Sequence, residues 1–169
     1  SGILEKIDID SSYYKCGVHS PYDKNTQISL LRGGKEYNSL HNNCSGKHAG
    51  MLATAKHLGC DLNEYLQSQH PVQQKIVSAL EQYTEQSGFV FGTDGCSAPT
   101  PFLSLHSIAI LFQKLASGDY PVLSRLYDAM VTHPYLVAGR KRFDTDFMEA
   151  MSGRAVTKVG GEAVRGLGI

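Results

Sequence analysis

The chain has 169 residues, with 16 basic and 16 acidic side chains, a formal net charge of +0 and 41% hydrophobic residues. That much apolar material builds a core rather than a disordered tail, and the charge balance gives no electrostatic basis for a nucleic acid or an anionic membrane as partner. No apolar run approaches the ~20 residues that span a bilayer, and no signal segment is visible.

In chain order, Ile3, Leu4 and Ile7 have helical spacing, so the stretch to Ile9 reads as the end of a helix. Residues 16–21 read as a loop. Asp23 is placed to cap a helix carrying Ile28, Leu30 and Leu31, which stops at Gly33-Gly34. A polar, small-residue stretch from His41 leads into a helix running through Met51 to Leu58, with Asn43 or Ser45 as its cap and Gly59 as its stop. Pro71 fits the first turn of the next helix, which reaches about Ser87. Phe89–Phe91 reads as a short buried strand, and Gly92–Pro99 as a tight loop. Helices follow at 104–117, 121–132 and 144–151. The tail alternates like two strands, Ala155–Val159 and Ala163–Ile169, that turn at Gly160-Gly161. No repeat interrupts this order. The expected class is α+β, in one domain over 1–169 that reads as cut at both ends.

Four cysteines, Cys16, Cys44, Cys60 and Cys96, are too sparse for a disulfide scaffold, and no Cys-x-x-Cys pair is present. A reducing cytoplasm is expected, with the thiols free or metal-bound. Three places carry chemistry. Cys44-x-x-Lys47 puts a thiol and an amine on one face near a helix start, where the dipole favours a thiolate. A metal would take the thiolate and a neutral amine, because burial and a nearby cation both help the lysine lose its proton. The same spacing also describes a buried cysteine beside a surface lysine. Asp94-Gly95-Cys96 offers a second soft ligand and a carboxylate, or else an ordinary turn. Lys158-Val159-Gly160-Gly161 places a lysine before small residues that let a substrate approach closely, or else a solvated lysine before a hairpin turn. His48 adjoins the first motif and is within reach of hydrogen bonding in that site. Ser12-x-x-Lys15 matches a nucleophile motif in letters only, because no long apolar helix follows it. No Walker loop or Gly-x-Gly-x-x-Gly is present, so a bound nucleotide is not expected.

The block Leu40–Leu52, LHNNCSGKHAGML, resembles the signature of the asparaginase II family, the Rhizobium etli-type, zinc-containing L-asparaginases. Cys16-Gly17-Val18-His19, Asp94–Pro99, Arg142–Thr145 and Lys158–Glu162 resemble further blocks of that family, in the same order. The resemblance implies the helix-rich part of a fold similar to serine β-lactamases and glutaminases. It implies hydrolysis of L-asparagine to L-aspartate and ammonia. It also implies zinc held by Cys44, Lys47 and Cys96, with Asp94 helping to hold a zinc-bound water, and Lys158 in the catalytic cluster. The family's nucleophile belongs to a Ser-x-x-Lys helix upstream of the Cys-Gly-x-His loop. Ser12 and Lys15 do not match it, so the chain is expected to lack that nucleophile and to show little turnover alone. The resemblance is compatible with a homodimer. Two alternatives stay open: a non-catalytic zinc-binding or interaction module, and a β-lactamase-like serine hydrolase of another amide.

Overall fold

The computed structural model describes residues 2–169, the Glu162 side chain excepted. They form two compact units, and the division falls within one helix: residues through Ala79 join Phe89–Phe102, and Leu80–Gly88 join Leu103–Ile169. Eight α-helices and two small antiparallel hairpins are present among the described residues, which makes the chain helix-rich α+β.

The first unit is organised around α3 (Ser45–His57). Its buried positions, His48, Ala49, Met51, Leu52 and Ala55, recur at helical spacing and make one inward face. Leu4 of α1 (Gly2–Lys6) is buried in the same cluster. The Lys56 ammonium of α3 donates to the Ile7 carbonyl and, at 3.1 Å, to that of Asp8, so a cation closes the end of α1. Asp23 caps α2 (Lys24–Arg32) as expected, its carboxylate accepting from Thr26 N–H at 2.9 Å, and Gly33 ends it. The cap expected for α3 is different. Cys44 holds the cap position with no side-chain bond of its own, and Asn42 Oδ1 accepts from Cys44 N–H at 2.8 Å. An amide two residues earlier in the chain reaches forward to that N–H, and this leaves the Cys44 thiol unused by the helix start.

The helix α4 (Pro71–Thr84) opens on its proline. It is shorter than expected, and Glu85 (φ 56°) and Gly88 (φ 65°) turn the chain after it. The strand expected at Phe89–Phe91 lies two residues further on. β1 (Phe91–Thr93) pairs with β2 (Pro99–Pro101) in the register Phe91↔Pro101, Gly92↔Thr100. Nor is it buried: Val90 is 67% and Phe91 43% exposed. A run of three apolar residues has no face to bury by itself, so the ladder forms where a partner can pair. Only residues 94–98 remain as loop.

In the second unit, Ser104 caps α5 (Leu105–Ala116), accepting from Ser107 N–H at 3.0 Å. Helices α6 (Pro121–Thr132) and α7 (Pro134–Ala138) each start with proline. Next come α8 (Phe143–Met151) and the expected terminal hairpin, β3 (Val156–Val159) with β4 (Arg165–Gly168). Leu115, Leu123, Met148 and Val156 are its core. β4 lies so close to α5 that a Cβ on Gly166 would fall 1.9 Å from the Phe112 ring, and one on Gly168 would fall 2.5 Å from the Phe112 carbonyl oxygen. Glycine is required at both places by space.

Candidate metal centre

Two loops bring the chemistry to the start of α3. The buried Asn42 amide donates to the Cys16 carbonyl at 2.6 Å while its oxygen holds Cys44 N–H. His19 Nδ1 donates to the Ser20 carbonyl at 2.7 Å, and Nε2 lies 3.1 Å from Asn43 N–H and 2.9 Å from Asn43 Oδ1. The Cys-Gly-x-His loop thus grips both asparagines that precede Cys44. The other loop joins β1 to β2. Asp94 N–H donates to the Ala98 carbonyl at 2.9 Å, Ser97 N–H to the Asp94 carbonyl at 2.8 Å, and Ser97 sits in the left-handed region at φ 67°. This tight closure holds Asp94 and Cys96 in place beside α3.

The ligand atoms of Cys44, Asp94 and Cys96 all lie within 4.8 Å of one another. Lys47 joins them through an ion pair, Nζ to Asp94 Oδ2, at 2.9 Å. The Cys96 thiol donates to the same oxygen at 3.4 Å. Four of the side chains singled out from sequence therefore converge. His48 is fully buried just behind, its Nδ1 2.6 Å from the Tyr65 hydroxyl, which also accepts from Lys15 N–H at 3.0 Å. His48 Nε2 is buried with no hydrogen-bond partner among the described residues. Lys158 belongs to the other unit. It is exposed on β3, and its ammonium donates to the Val159 carbonyl at 2.6 Å. Ser12 lies within a short 3₁₀ turn, Ser11–Tyr13, and Lys15 follows its cap Tyr14, so the pair does not open a helix.

Two groups of the cluster titrate above their ordinary values. Burial pushes the Cys44 thiol up to about 11, although the Lys47 charge opposes it. The helix start does not by itself make a thiolate there. Desolvation, the largest single influence on Lys47, pulls its pKa down, but the bond to Asp94 and the neighbouring thiols carry it above its ordinary value. The lysine is a paired ammonium. Asp94 is held below the usual carboxylate range by that bond to Lys47. Burial, then the Lys47 charge, push His48 down to about 4, and burial raises Tyr65 to about 12.

The residues fit a soft or borderline dication. Two sulfurs and a carboxylate oxygen lie within 4.8 Å of one another, against roughly 3.8 Å between two thiolates on one tetrahedral zinc, and the Lys47 amine is 2.9 Å from Asp94 Oδ2. Cys16 and Cys60 are free thiols outside the cluster, bonded to the Ser39 and Leu58 carbonyls. Sequence reasoning missed two contributors. Asn42 sits in the His-Asn-Asn run and was legible as a polar loop residue. Tyr65 is 17 positions from His48 in a segment without regular structure, and no pattern marks it. Tyr65 also adjoins a groove of about 630 Å³, lined by Lys15, Glu64, Gln67, Thr93 and Ser97 among others.

No curated protein matches the chain. A family model described as L-asparaginase II matches residues 1–169, the whole of it. With that match added to the converging Cys44, Lys47, Asp94 and Cys96, the chain belongs to the L-asparaginase II family.

Proposed function

We propose that this chain is the metal-binding and lysine-bearing part of an amidohydrolase that converts L-asparagine to L-aspartate and ammonia, working in the cytoplasm. Family membership supports asparaginase-like amide hydrolysis. The observation that carries the finer reading is the convergence of Cys44 and Lys47 at the start of α3 with Asp94 and Cys96 of the β1–β2 loop. Zinc would be held by Cys44, Lys47 and Cys96, and when bound it supplies Lewis-acid polarisation and fixes the geometry of the pocket. Its loading would require the raised Cys44 thiol and the Lys47 ammonium to give up protons, which would end the Lys47–Asp94 ion pair. The surrounding architecture is read as part of a β-lactamase-like fold.

No serine among the described residues is hydrogen-bonded to a lysine side chain in a nucleophile–base pair. The acylating serine is assigned on the family resemblance, to a Ser-x-x-Lys helix that Ser12 and Lys15 do not match. Its hydroxyl adds to the side-chain amide carbon, the proton passes to the leaving nitrogen, ammonia departs, and water releases aspartate from the ester. Lys158 is assigned to this proton transfer.

The test is ammonia release from L-asparagine, with metal content measured on the same sample. A chain extended upstream through a Ser-x-x-Lys helix is expected to turn over, and the 169-residue chain is expected to bind zinc with little turnover. Zinc binding without turnover in the extended protein would favour a metal-binding module. Turnover of a chromogenic β-lactam in its place would favour the other hydrolase.

A further inference from the structure

His48 and Tyr65 are both 0% exposed, their rings edge to face with centroids 5.6 Å apart. The Tyr65 oxygen has Lys15 N–H at 3.0 Å and His48 Nδ1 at 2.6 Å. A backbone N–H only donates, so it takes a lone pair of the phenol oxygen. The one phenolic proton is then free to go to Nδ1. That assignment makes Nδ1 the acceptor and puts the imidazole proton on Nε2. The reverse assignment, Nδ1–H donating to the phenol, strands both the phenolic proton and a bare Nε2 in the interior. One orphan is better than two, so hydrogen-bond satisfaction decides between them.

The orphan that remains is informative. Nε2 is buried without a partner, and the backbone of Cys96 acts on the same ring. Because Nδ1 is taken by Tyr65, Nε2 is the nitrogen left to face Cys96, whose sulfur belongs to the cluster. We infer that Tyr65 is a positioning residue: it fixes His48 as the Nε2–H tautomer, a buried donor held for the Cys96 segment, and so steadies that ligand for a bound metal. An N–H donor gains strength when the group it meets carries negative charge, as the Cys96 segment does once its sulfur is a thiolate. The role in metal binding rests on the metal reading above; the tautomer does not.

The ¹⁵N spectrum of His48 at neutral pH reads the tautomer directly. Wild type is expected to show Nε2–H alone, and Tyr65→Phe, which keeps the ring and drops the hydroxyl, a mixture. Zinc affinity by chelator competition is expected to fall ~10-fold or more in Tyr65→Phe. His48→Gln, whose amide N–H falls near the place of Nε2–H, is expected to stay within about threefold of wild type, while His48→Asn falls as far as Tyr65→Phe. This pair carries the comparison should Tyr65→Phe not fold. A wild-type Nδ1–H tautomer overturns the inference. So does undiminished zinc affinity in Tyr65→Phe or His48→Asn, even if stability drops. A wild type that takes up no zinc while keeping the Nε2–H tautomer overturns the metal reading and the positioning role together, and the tautomer signal separates this from a failed assignment.

Discussion

In the β1–β2 hairpin the polar groups sit in the connecting loop, at Asp94 and Cys96, whereas in β3–β4 they sit on the strands, at Thr157 and Arg165. Asp94 is 41% exposed, and its carboxylate meets an ammonium, a thiol and the Gly95 N–H at once. Asp144, which binds the second hairpin, is 2% exposed. One of its oxygens accepts from Arg165 and, at 3.1 Å, from Thr157, and the other accepts from Val159 N–H at 3.3 Å. Both carboxylates bridge a hairpin to a helix. Around Asp94 the neighbouring groups are pushed off their ordinary titration, Cys44 and Lys47 upward and Asp94 downward. Around Asp144 each oxygen has its donors and the assembly is closed. Strained protonation with open access marks a place built to receive something, and full satisfaction marks scaffold.

Removing one cluster sulfur breaks this comparison most sharply. Cys96→Ala is expected to lower zinc affinity by more than the ~10–100-fold typical of a supporting residue. Chelator competition reads it, and unchanged affinity would remove Cys96 from the ligand set. The same reasoning makes metal uptake rise with pH, because the Cys44 thiol must ionise from about 11. The matching change at the carboxylate that binds the other hairpin leaves metal alone and costs stability. Asp144→Ala strands the Arg165 guanidinium, which is 34% exposed, so the loss is expected at about 2–3 kcal/mol, below the range for a fully buried pair. Urea unfolding measures it.

A comparable effect follows from His48 in zinc-free protein. Its pKa is lowered from 6.5 to about 4 by burial. A depressed value means that the folded state resists the charged form. The contribution is therefore fully present above pH 6.5 and is lost as pH falls through 4, by something on the order of 3 kcal/mol. Urea midpoints across that window are expected to decline in wild type and to decline less in His48→Gln.

These effects also show how far the sequence could be read. Asp23, Gly33 and Pro71 announce their helices because capping and proline geometry are local. The terminal hairpin is legible from its alternation and from Gly160-Gly161. The β1–β2 pair is not, because Gly92, Pro99 and Pro101 oppose the strand propensity of Phe91, Thr93 and Thr100, and the pair forms through its closed loop. α7 escaped because it is a single proline-led turn following directly on α6. In the cluster, Cys44, Lys47, Asp94 and Cys96 were legible as ligand types, but which of them share protons was not. That depends on burial and on Asn42 and Tyr65, whose roles arise only in three dimensions.

Packing separates the glycines of β4 by a smaller margin. Gly166→Ala meets the ring of Phe112, a side chain that can turn, whereas Gly168→Ala meets the Phe112 backbone oxygen, which cannot. Both are expected to destabilise by ~1–3 kcal/mol, with Gly168→Ala the worse. Phe112→Leu is expected to recover part of the loss at Gly166 and none at Gly168, and equal recovery at both would contradict the contacts.

The smallest expected effect on stability falls at Lys47. Its ion pair with Asp94 is short, at 2.9 Å, but the two side chains are 44% and 41% exposed. Water and salt screen such a pair, so Lys47→Met is expected to change unfolding free energy by less than ~1 kcal/mol. The effect on Asp94 has a definite sign. Its carboxyl is held low chiefly by the bond to Lys47, so it is expected to titrate higher in Lys47→Met, by ¹³C NMR of the carboxyl carbon. If Lys47 is also a metal ligand, zinc affinity falls in the same variant while stability scarcely moves. A residue that matters little to folding and much to binding is what the open hairpin, unlike the closed one, is built to hold. A large stability loss at Lys47, with zinc affinity intact, would reverse the roles assigned to the two hairpins.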